Sequence, residues 1–204
     1  KEEINEIIET MSIEEKVGQL FQVGFSDVKA NEEIEDMIKN YHIGGVIYFS
    51  RNIKNPGQVA NLSKNLQRLS KSYGKSVPLF ISIDQEGGTV TRLKGATHFP
   101  GNMTLGATRS KKLVKKAAKA TGNELKNLGI NMNLAPVLDV NNNPYNPVIG
   151  VRSFGENPKL VAKLGSAYIE GIQKEGVIAC AKHFPGHGDT DTDSHMNLPI
   201  ISHS

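Results

Sequence analysis

The segment from Lys182 to His195 carries an unusually dense group of reactive side chains. Its sequence, KHFPGHGDTDTDSH, includes three histidines, three aspartates and one lysine. Imidazoles beside carboxylates are the groups that transfer protons near neutral pH. A solvated surface loop is also polar, but it has no reason to collect histidines beside aspartates. The composition therefore predicts that this loop is the functional site.

The spacing of Asp193 and His195, two residues apart, decides whether their side chains can meet. In an extended segment both point to one side, whereas in a helix they point about 200° apart. The glycines and aspartates around them favour the extended form. An aspartate beside a histidine fixes the ring tautomer and stabilises the cation, as a general acid or base requires. We expect an acid/base pair here; the alternative is an ordinary surface pair.

Two further loops carry ionic side chains that a ligand site could use. Asp84 and Glu86 directly follow an apolar run, and Arg92 comes shortly after them. Arg152 lies in a later loop between small and apolar neighbours. A guanidinium can grip a carboxylate or ligand oxygens through two parallel hydrogen bonds. The alternatives are a turn with a solvated acid for Glu86 and a structural ion pair for Arg152.

A metal site is a competing interpretation of the histidine-rich loop. Histidine and carboxylate are side chains that zinc and manganese take. The candidate ligands are His183, His187, His195, Asp189, Asp191 and Asp193. However, the chain has no H-x-H or H-E-x-x-H spacing, and the glycines and proline between the histidines suit a tight turn. We therefore expect no metal and no other cofactor.

Composition limits the kinds of partner. The 204 residues are 38% hydrophobic and 22% charged, ordinary values for a domain with a buried core. The net charge is only +3, and the lysines between Lys111 and Lys119 follow a helical pattern without interleaved aromatic residues, which disfavours nucleic-acid binding. No apolar run is long enough for a membrane span. The single cysteine, Cys180, excludes a disulfide within the chain.

Apolar periodicity predicts strands and helices that alternate along the chain. We expect strands at residues 17–25, 46–49, 79–83, 130–140 and 177–181. We expect a short opening helix capped by Thr10 or Ser12, later helices that start at Asn31, Asn55, about Arg109 and Asn157, and helix stops at Gly74, Gly129 and Gly176. Strands that alternate with helices pair in parallel, because each strand returns through a crossover.

Two parallel architectures fit this pattern, an open doubly wound sheet and a closed barrel. A dinucleotide-binding sheet would carry G-x-G-x-x-G after the first strand, and the sequence there, Gly24-Phe25-Ser26, lacks it. The loops after the third, fourth and fifth strands are long, and barrel sites are built on such loops. We predict an α/β fold of (β/α)8 TIM-barrel type, of which the chain covers about the first five βα units.

Several of these motifs together resemble a known enzyme family. They are IDQEGG at 83–88, Arg92, VRSFG at 151–155, KHFPGHG at 182–188 and DSH at 193–195. Over nearly its whole length the chain resembles the N-terminal barrel domain of glycoside hydrolase family 3, most of all the β-N-acetylglucosaminidase (NagZ-like) branch. The resemblance implies a bacterial-type retaining hydrolase, cytoplasmic or exported to the cell wall. Its implied substrates are cell-wall muropeptides or chitooligosaccharides, from which it would release terminal β-linked N-acetylglucosamine (GlcNAc).

The resemblance also implies roles for single residues. The sugar hydroxyls would be held in one pocket by Asp84, Arg92, Arg152, Lys182 and His183. Asp193 and His195 would form the acid/base dyad. Most retaining glycosidases use two carboxylic acids, and the histidine is a peculiarity of this branch.

In the family pattern the nucleophilic aspartate lies on a later strand, and no aspartate of residues 1–204 has that place. We therefore expect residues 1–204 to be the N-terminal part of the barrel domain, incomplete at the C-terminus, and inactive alone. A complete barrel has about 250 residues, and an unclosed one exposes its sheet edges. We expect the rest of the same parent protein, or a second copy, to cover those edges.

Three alternatives to the retaining hydrolase stay open, of which a histidine- and aspartate-ligated, metal-dependent hydrolase is one and two others do not hydrolyse the substrate. A phosphorylase of the same family is the first, because a histidine acid/base avoids the like-charge repulsion that a carboxylate would impose on an incoming phosphate. A non-catalytic carbohydrate-binding fragment is the second, because the nucleophile lies outside these residues.

Overall fold

The structure, a computed structural model, describes residues 2–73 and 77–201. Its helices are α1 Glu2–Thr10, α2 Ile13–Gly18, α3 Glu32–Asn40, α4 Pro56–Tyr73, α5 Asn102–Ala107, α6 Lys111–Asn127 and α7 Pro158–Gln173. Its strands are β1 Gln22–Val23, β2 Gly45–Tyr48, β3 Phe80–Ile83, β4 Met132–Asn133 and β5 Ile178–Ala179. The expected helix stop at Gly74 lies outside the described residues.

Side-chain caps begin the helices where the sequence predicted them. Ser12 and Glu15 form a reciprocal capping box at the start of α2. The side chains of Asn31, Asn55 and Asn157 each accept the backbone N–H three residues further on. These predicted starts of α2, α3, α4 and α7 are confirmed.

Two predicted strands are much shorter in the structure. The prediction of a strand at 17–25 is wrong at its start, because the helix capped at Ser12 continues through Gly18. The predicted strand at 130–140 is regular only at Met132–Asn133, because Pro136 has no backbone N–H to donate to a neighbour. Pairing resumes beyond it as a parallel bridge between Val137 and Lys182. The helices α1 and α5 were not predicted.

The strands are parallel and follow one another in sequence order, β1-β2-β3-β4-β5, which confirms the predicted α/β class. The chain divides into two compact units. The first contains Lys1–Ile83, Arg92–Ala96 and Leu125–Met132, and the second contains Asp84–Thr91, Thr97–Glu124 and Asn133–Ser204.

In the first unit, β2 lies between β1 and β3, with Val46 opposite both Val23 and Ile81. Helices α3 and α4 contact each other. Their apolar stripes supply much of the buried core, which includes Ile34, Ile38, Val46, Val59, Leu62, Leu66 and Ile81. Tyr41 caps the C-terminal end of α3 and is exposed.

In the second unit, α7 packs closely on α6. A Cβ at Gly171 would lie 2.6 Å from the Lys115 carbonyl oxygen, so only glycine permits this approach. Backbone bonds join the segments of β4 and β5: Cys180 N–H donates to Asn133, and Lys182 exchanges bonds with Pro136 and Leu138. This register brings Asp139 and His183, which follow these strands, to the same edge. Within the described residues, no helix combines the length and apolar character that crossing a membrane requires.

Candidate active site

The segment after β3 is clamped by the buried amide of Asn133. The Asn133 Oδ1 accepts the backbone N–H of Gln85 at 3.0 Å, and its Nδ2 donates to the Gln85 carbonyl at 2.9 Å. Tyr168, wholly buried on α7, lies 3.3 Å from the same amide. The Asn133 side chain thus makes the two hydrogen bonds to Gln85 that the backbone of a neighbouring strand would make. It fixes the backbone between Asp84 and Glu86, so both carboxylates leave it in set directions.

Glu86 is the hub of a buried ionic cluster. Arg152 donates to it through Nε at 2.9 Å and through Nη2 at 2.8 Å, a bidentate grip. The ammonium of Lys182 lies 2.7 Å from the same carboxylate. The Glu86 side chain is only 2% exposed. Burial opposes its charge, but the hydrogen bonds from Arg152 and the charge of Lys182 outweigh burial and lower the pKa of Glu86.

Lys182 joins this cluster to Asp84. Its Nζ lies 2.7 Å from Asp84 Oδ1 as well as from Glu86, so one ammonium serves two carboxylates. With Arg152 included, the four side chains carry two positive and two negative charges. The sequence placed Asp84, Arg152 and Lys182 together, and the structure brings them together through Glu86. Their roles as sugar ligands stay predictions.

The backbone around Arg152 also holds this arginine in place. Its Nη1 donates to the Val148 carbonyl at 3.2 Å, and its own carbonyl accepts from Asn102 Nδ2 at 2.8 Å. Arg152 closes a 3-10 turn, Gly150–Arg152. The hydrogen bond to Glu86 raises the pKa of Arg152, in line with a permanently charged pair.

Asp139 is a buried residue of this site that the sequence analysis did not single out. Its Oδ2 lies 2.6 Å from His183 Nδ1, and its Oδ1 accepts the backbone N–H of His187 at 2.7 Å. Although burial opposes its charge, the hydrogen bond from the His183 ring and the His187 amide lower the pKa of Asp139. The ionised carboxylate therefore accepts from Nδ1–H and leaves His183 Nε2 for a ligand. The signal was present: an acid ends this strand region, as Asp84 follows β3.

A cavity of ≈ 250 Å³ lies at this edge. It is lined by Leu138, Asp139, Ala181, Lys182, His183, Phe184, Pro185 and Gly186. The polar side of the lining is thus formed by the residues that the ionic cluster and Asp139 hold in place. The cavity has room for a small polar ligand against Lys182 and His183.

The dyad forms, but in a way that the sequence analysis did not predict. His195 Nδ1 lies 2.7 Å from Asp193 Oδ1, and the same oxygen accepts the backbone N–H of His195 at 2.9 Å. The expected extended segment is wrong: the amides of Met196 and Asn197 both donate to the Asp193 carbonyl, which closes a turn. An aspartate favours such a turn because its side chain can accept the amide two residues on.

The electrostatics of the dyad differ from those of the cluster. The amide and ring of His195 lower the pKa of Asp193, so this carboxylate is ionised at neutral pH and faces the imidazole. The side chains are 37% exposed for Asp193 and 76% exposed for His195. The ring is therefore accessible to a substrate.

Arg92 belongs to the first unit and the other predicted site residues to the second, so its part in the site stays a prediction. The competing metal site finds no support in the geometry. Among residues 2–73 and 77–201, no three histidine, cysteine, aspartate or glutamate side chains are grouped so that they could hold a metal ion.

Comparison with known proteins identifies the family. Residues 12–204 match the glycosyl hydrolase family 3 N-terminal domain. Beta-hexosaminidase A of Pseudoalteromonas piscicida is 49% identical over 84% of this chain and 29% of its own length. A family 3 β-N-acetylglucosaminidase from Paenibacillus sp. str. FPU-7 superposes with a TM-score of 0.92 at 53% identity, over 94% of this chain and 36% of its own. NagZ from Neisseria gonorrhoeae, in complex with N-trifluoroacetyl-D-glucosamine, gives a TM-score of 0.79 at 34% identity, over 87% and 53%.

These matches also bear on the fold and on the length. The chain spans 29% of the first of these curated relatives and 46% of the β-hexosaminidase LpqI of Mycobacterium tuberculosis. The predicted TIM-barrel type of fold is confirmed by the similarity to the solved family members. The chain belongs to glycosyl hydrolase family 3, and residues 12–204 correspond to the N-terminal domain of that family.

Proposed function

We propose that the parent protein is a retaining β-N-acetylglucosaminidase that hydrolyses terminal β-linked GlcNAc from cell-wall muropeptides or chitooligosaccharides. The observation that carries the proposal is the pairing of a charge-balanced ionic cluster with an exposed Asp–His pair in one unit. The matched relatives named β-hexosaminidase and β-N-acetylglucosaminidase support the same substrate class.

The ionic cluster suits a neutral sugar. Asp84 and Glu86 balance Lys182 and Arg152 in charge, so these four side chains carry no net charge together. Asp84 and Lys182 keep part of their surface exposed, and each can still bond a hydroxyl. Together with His183 Nε2, they offer both acceptors and donors, as a polyol requires. Arg92 and Arg152 complete the proposed set of sugar ligands.

The proposed acid/base is His195, oriented by Asp193. The ionised aspartate stabilises the imidazolium, which can protonate the leaving oxygen and later take a proton from water. Retention requires a second group that attacks the anomeric carbon and forms a glycosyl-enzyme ester. We assign that step to an aspartate that follows residue 204 in the parent, and on this assignment residues 1–204 alone do not hydrolyse the substrate.

The first unit supplies a reason to expect more chain around these residues. Ile13, Val17, Phe21 and Tyr41 are exposed and line an apolar groove of ≈ 570 Å³. Apolar surface of this extent is costly in water. We infer that further barrel elements of the same parent, or a second copy, cover it. Size-exclusion chromatography and thermal melting of residues 1–204 test this: a monodisperse monomer that melts cooperatively would contradict it.

A phosphorylase of the same family is a second candidate. The supporting observation is that the proposed acid/base is a histidine, which does not repel an incoming phosphate as a carboxylate would. The two reactions differ in their product. Incubation of the parent with a GlcNAc glycoside and phosphate yields GlcNAc 1-phosphate from a phosphorylase and free GlcNAc from a hydrolase.

The experiment for the main proposal compares the parent with a Lys182→Met variant. We expect the parent to release GlcNAc with retained anomeric configuration. Nuclear magnetic resonance of the first product to form measures this configuration. Lys182→Met should raise KM, because a hydroxyl partner is lost. Lys115→Met is a matched control, since it removes the ammonium of a solvent-exposed ion pair with Glu170. A parent without GlcNAc release, or equal kinetics for both variants, would contradict the proposal.

A further inference from the structure

His187 is a buried histidine that none of the roles above uses. Only 8% of it is exposed, yet both ring nitrogens have partners. Nδ1 lies 2.5 Å from Thr190 Oγ1, and Nε2 lies 3.0 Å from Ser194 Oγ. Ser194 stands between Asp193 and His195 in the chain. The ring therefore connects the buried part of the unit to the dyad.

The backbone that carries this ring is fixed on three sides. The His187 N–H donates to Asp139 Oδ1 at 2.7 Å, and its carbonyl accepts from Asn146 Nδ2 at 2.7 Å. The next residue, Gly188, packs so closely on Val140 that a Cβ would lie 1.8 Å from the Val140 carbonyl oxygen. The position of the ring is thus set by the same carboxylate, Asp139, that orients His183.

The hydrogen bonds also assign the protons on the ring. The Thr190 hydroxyl donates to the His187 carbonyl at 3.0 Å, so towards the ring its oxygen acts as an acceptor. In the tautomer that fits this contact Nδ1 carries the proton, and Nε2 accepts from the Ser194 hydroxyl. A hydroxyl group has one hydrogen to donate, so the Thr190 hydroxyl that donates to the carbonyl does not also donate to the ring.

The segment 193–195 has little else to hold it. Across the described stretches 2–73 and 77–201, the Ser194–His187 bond is the one side-chain hydrogen bond that leaves this segment. The remaining bonds of Asp193 and His195 are made within the turn. General acid catalysis depends on placing the proton within hydrogen-bond reach of the leaving oxygen. An acid on an otherwise untethered turn would spend little time there.

We propose that His187 is a positioning residue for the acid/base, acting through Ser194. It ties the turn that carries Asp193 and His195 to Asp139, and so to the sugar-binding edge. This inference rests on the proposed function, because it assumes that His195 is the proton donor. It adds that the donor is aimed by the His187 ring, in addition to its own aspartate.

The test is Ser194→Ala in the parent protein, with two β-GlcNAc glycosides that differ in leaving group. With an alkyl leaving group, which needs protonation, we expect kcat/KM to fall about 10-fold, a part of the ~10²–10⁴-fold that acid–base catalysis supplies. With a dinitrophenyl leaving group, kcat/KM should fall by less than about 3-fold, because departure of that group needs no proton. We compare kcat/KM because kcat also includes hydrolysis of the glycosyl-enzyme ester, in which His195 acts as the base. Ser194→Thr, which keeps the hydroxyl, should restore the alkyl glycoside activity.

The matched control is Thr192→Ala, which removes a hydroxyl two residues away that bonds only Asp191 among the described partners. A second readout is independent of catalysis: amide hydrogen exchange at residues 193–197 should accelerate in Ser194→Ala and not in Thr192→Ala. Unchanged exchange, or equal losses on both glycosides, would overturn the inference while leaving the hydrolase proposal intact. A parent whose His195→Ala variant shows no leaving-group dependence would overturn both.

Discussion

Two ionic pairs in the second unit have nearly the same contact distance, but one is buried and the other is exposed. The distance from Arg152 Nη2 to Glu86 Oε1 is 2.8 Å, and that from His195 Nδ1 to Asp193 Oδ1 is 2.7 Å. The Glu86 side chain is 2% exposed, whereas that of His195 is 76% exposed. The first pair is enclosed by the fold, and the second stands on a turn.

This difference separates two tasks. A buried carboxylate with two cations is hard to rearrange, because removing either side leaves a desolvated charge. Such a cluster suits fixed contacts to a ligand. An exposed pair is screened by water and contributes little to stability, but its ring can approach a substrate and exchange protons. The comparison therefore predicts that variants of the two pairs will affect different measurements.

The largest expected effect is on chemistry at the exposed pair. His195→Ala in the parent should lower kcat/KM for an alkyl β-GlcNAc glycoside by ~10²–10⁴-fold and that for a dinitrophenyl glycoside far less, because only the former needs its leaving oxygen protonated. Asp193→Ala should follow the same trend more weakly. The unfolding midpoint should not move. His98→Ala, at an exposed histidine of the same unit, is the control. Equal losses on both glycosides would show that His195 binds substrate and does not donate a proton.

The next effect is on stability at the buried pair. Glu86→Gln should destabilise the parent by about 3 kcal/mol, because Lys182 and Arg152 lose the anion that balances them. Binding of GlcNAc should weaken in parallel, since both cations then shift. Urea unfolding and calorimetric titration measure the two quantities. Glu170→Gln, which breaks the exposed pair with Lys115, should change either quantity much less. A loss of the same size in both variants would refute the distinction between buried and exposed pairs.

Asp139→Asn sharpens the comparison, because Asp139 is buried but serves both sides. The amide cannot accept from both His183 and His187 as strongly as an ionised carboxylate does. We expect a loss of about 2 kcal/mol of stability, as for hydrogen bonds to a charged group. We also expect higher KM from the misplaced His183 ring and lower kcat from the loosened His187 anchor. Asp36→Asn, at an exposed aspartate of α3 that bonds only Asn40 among the described residues, is the control. A change in stability without any kinetic change would make Asp139 purely structural.

The sequence predicted the parts of this comparison that depend on local rules. Asparagine and serine caps placed four helix starts, and the resemblance to family 3 placed Asp84, Arg152 and Lys182 in one pocket. The partners inside the fold were not predictable in this way. Asp139 lies in a mostly apolar run. Its contact with His183 could not be predicted, because it depends on the parallel pairing with the following strand.

The turn at Asp193 shows a second limit. Spacing alone suggested an extended segment, because only that form was compared with a helix. The competing option, a turn closed by the aspartate's own carboxylate and carbonyl, depends on hydrogen bonds that no periodicity reveals. The same holds for the short strands: residues 130–140 are mostly apolar, but Pro136 and the register with Lys182 decide where the backbone hydrogen bonds form.

The smallest expected effect is on the pH dependence of unfolding. The folded pKa values of Glu86 and Asp193 both lie below their usual range, so each ionised group stabilises the folded state above its unfolded pKa of about 4. That contribution is lost as the pH falls through the lower folded pKa. Because Glu86 is buried and Asp193 is screened by solvent, Glu86 should account for more of the acid-induced loss than Asp193 does. The free energy of unfolding can be measured in urea between about pH 3 and pH 6 at moderate salt. Towards low pH it should fall less steeply in Glu86→Gln than in the unsubstituted parent. In Asp193→Asn its pH dependence should be unaltered. If Asp193→Asn reduced the pH dependence of the free energy of unfolding as much as Glu86→Gln does, the exposed pair would be as strongly coupled to folding as the buried one. The division of tasks between the two pairs would then be wrong.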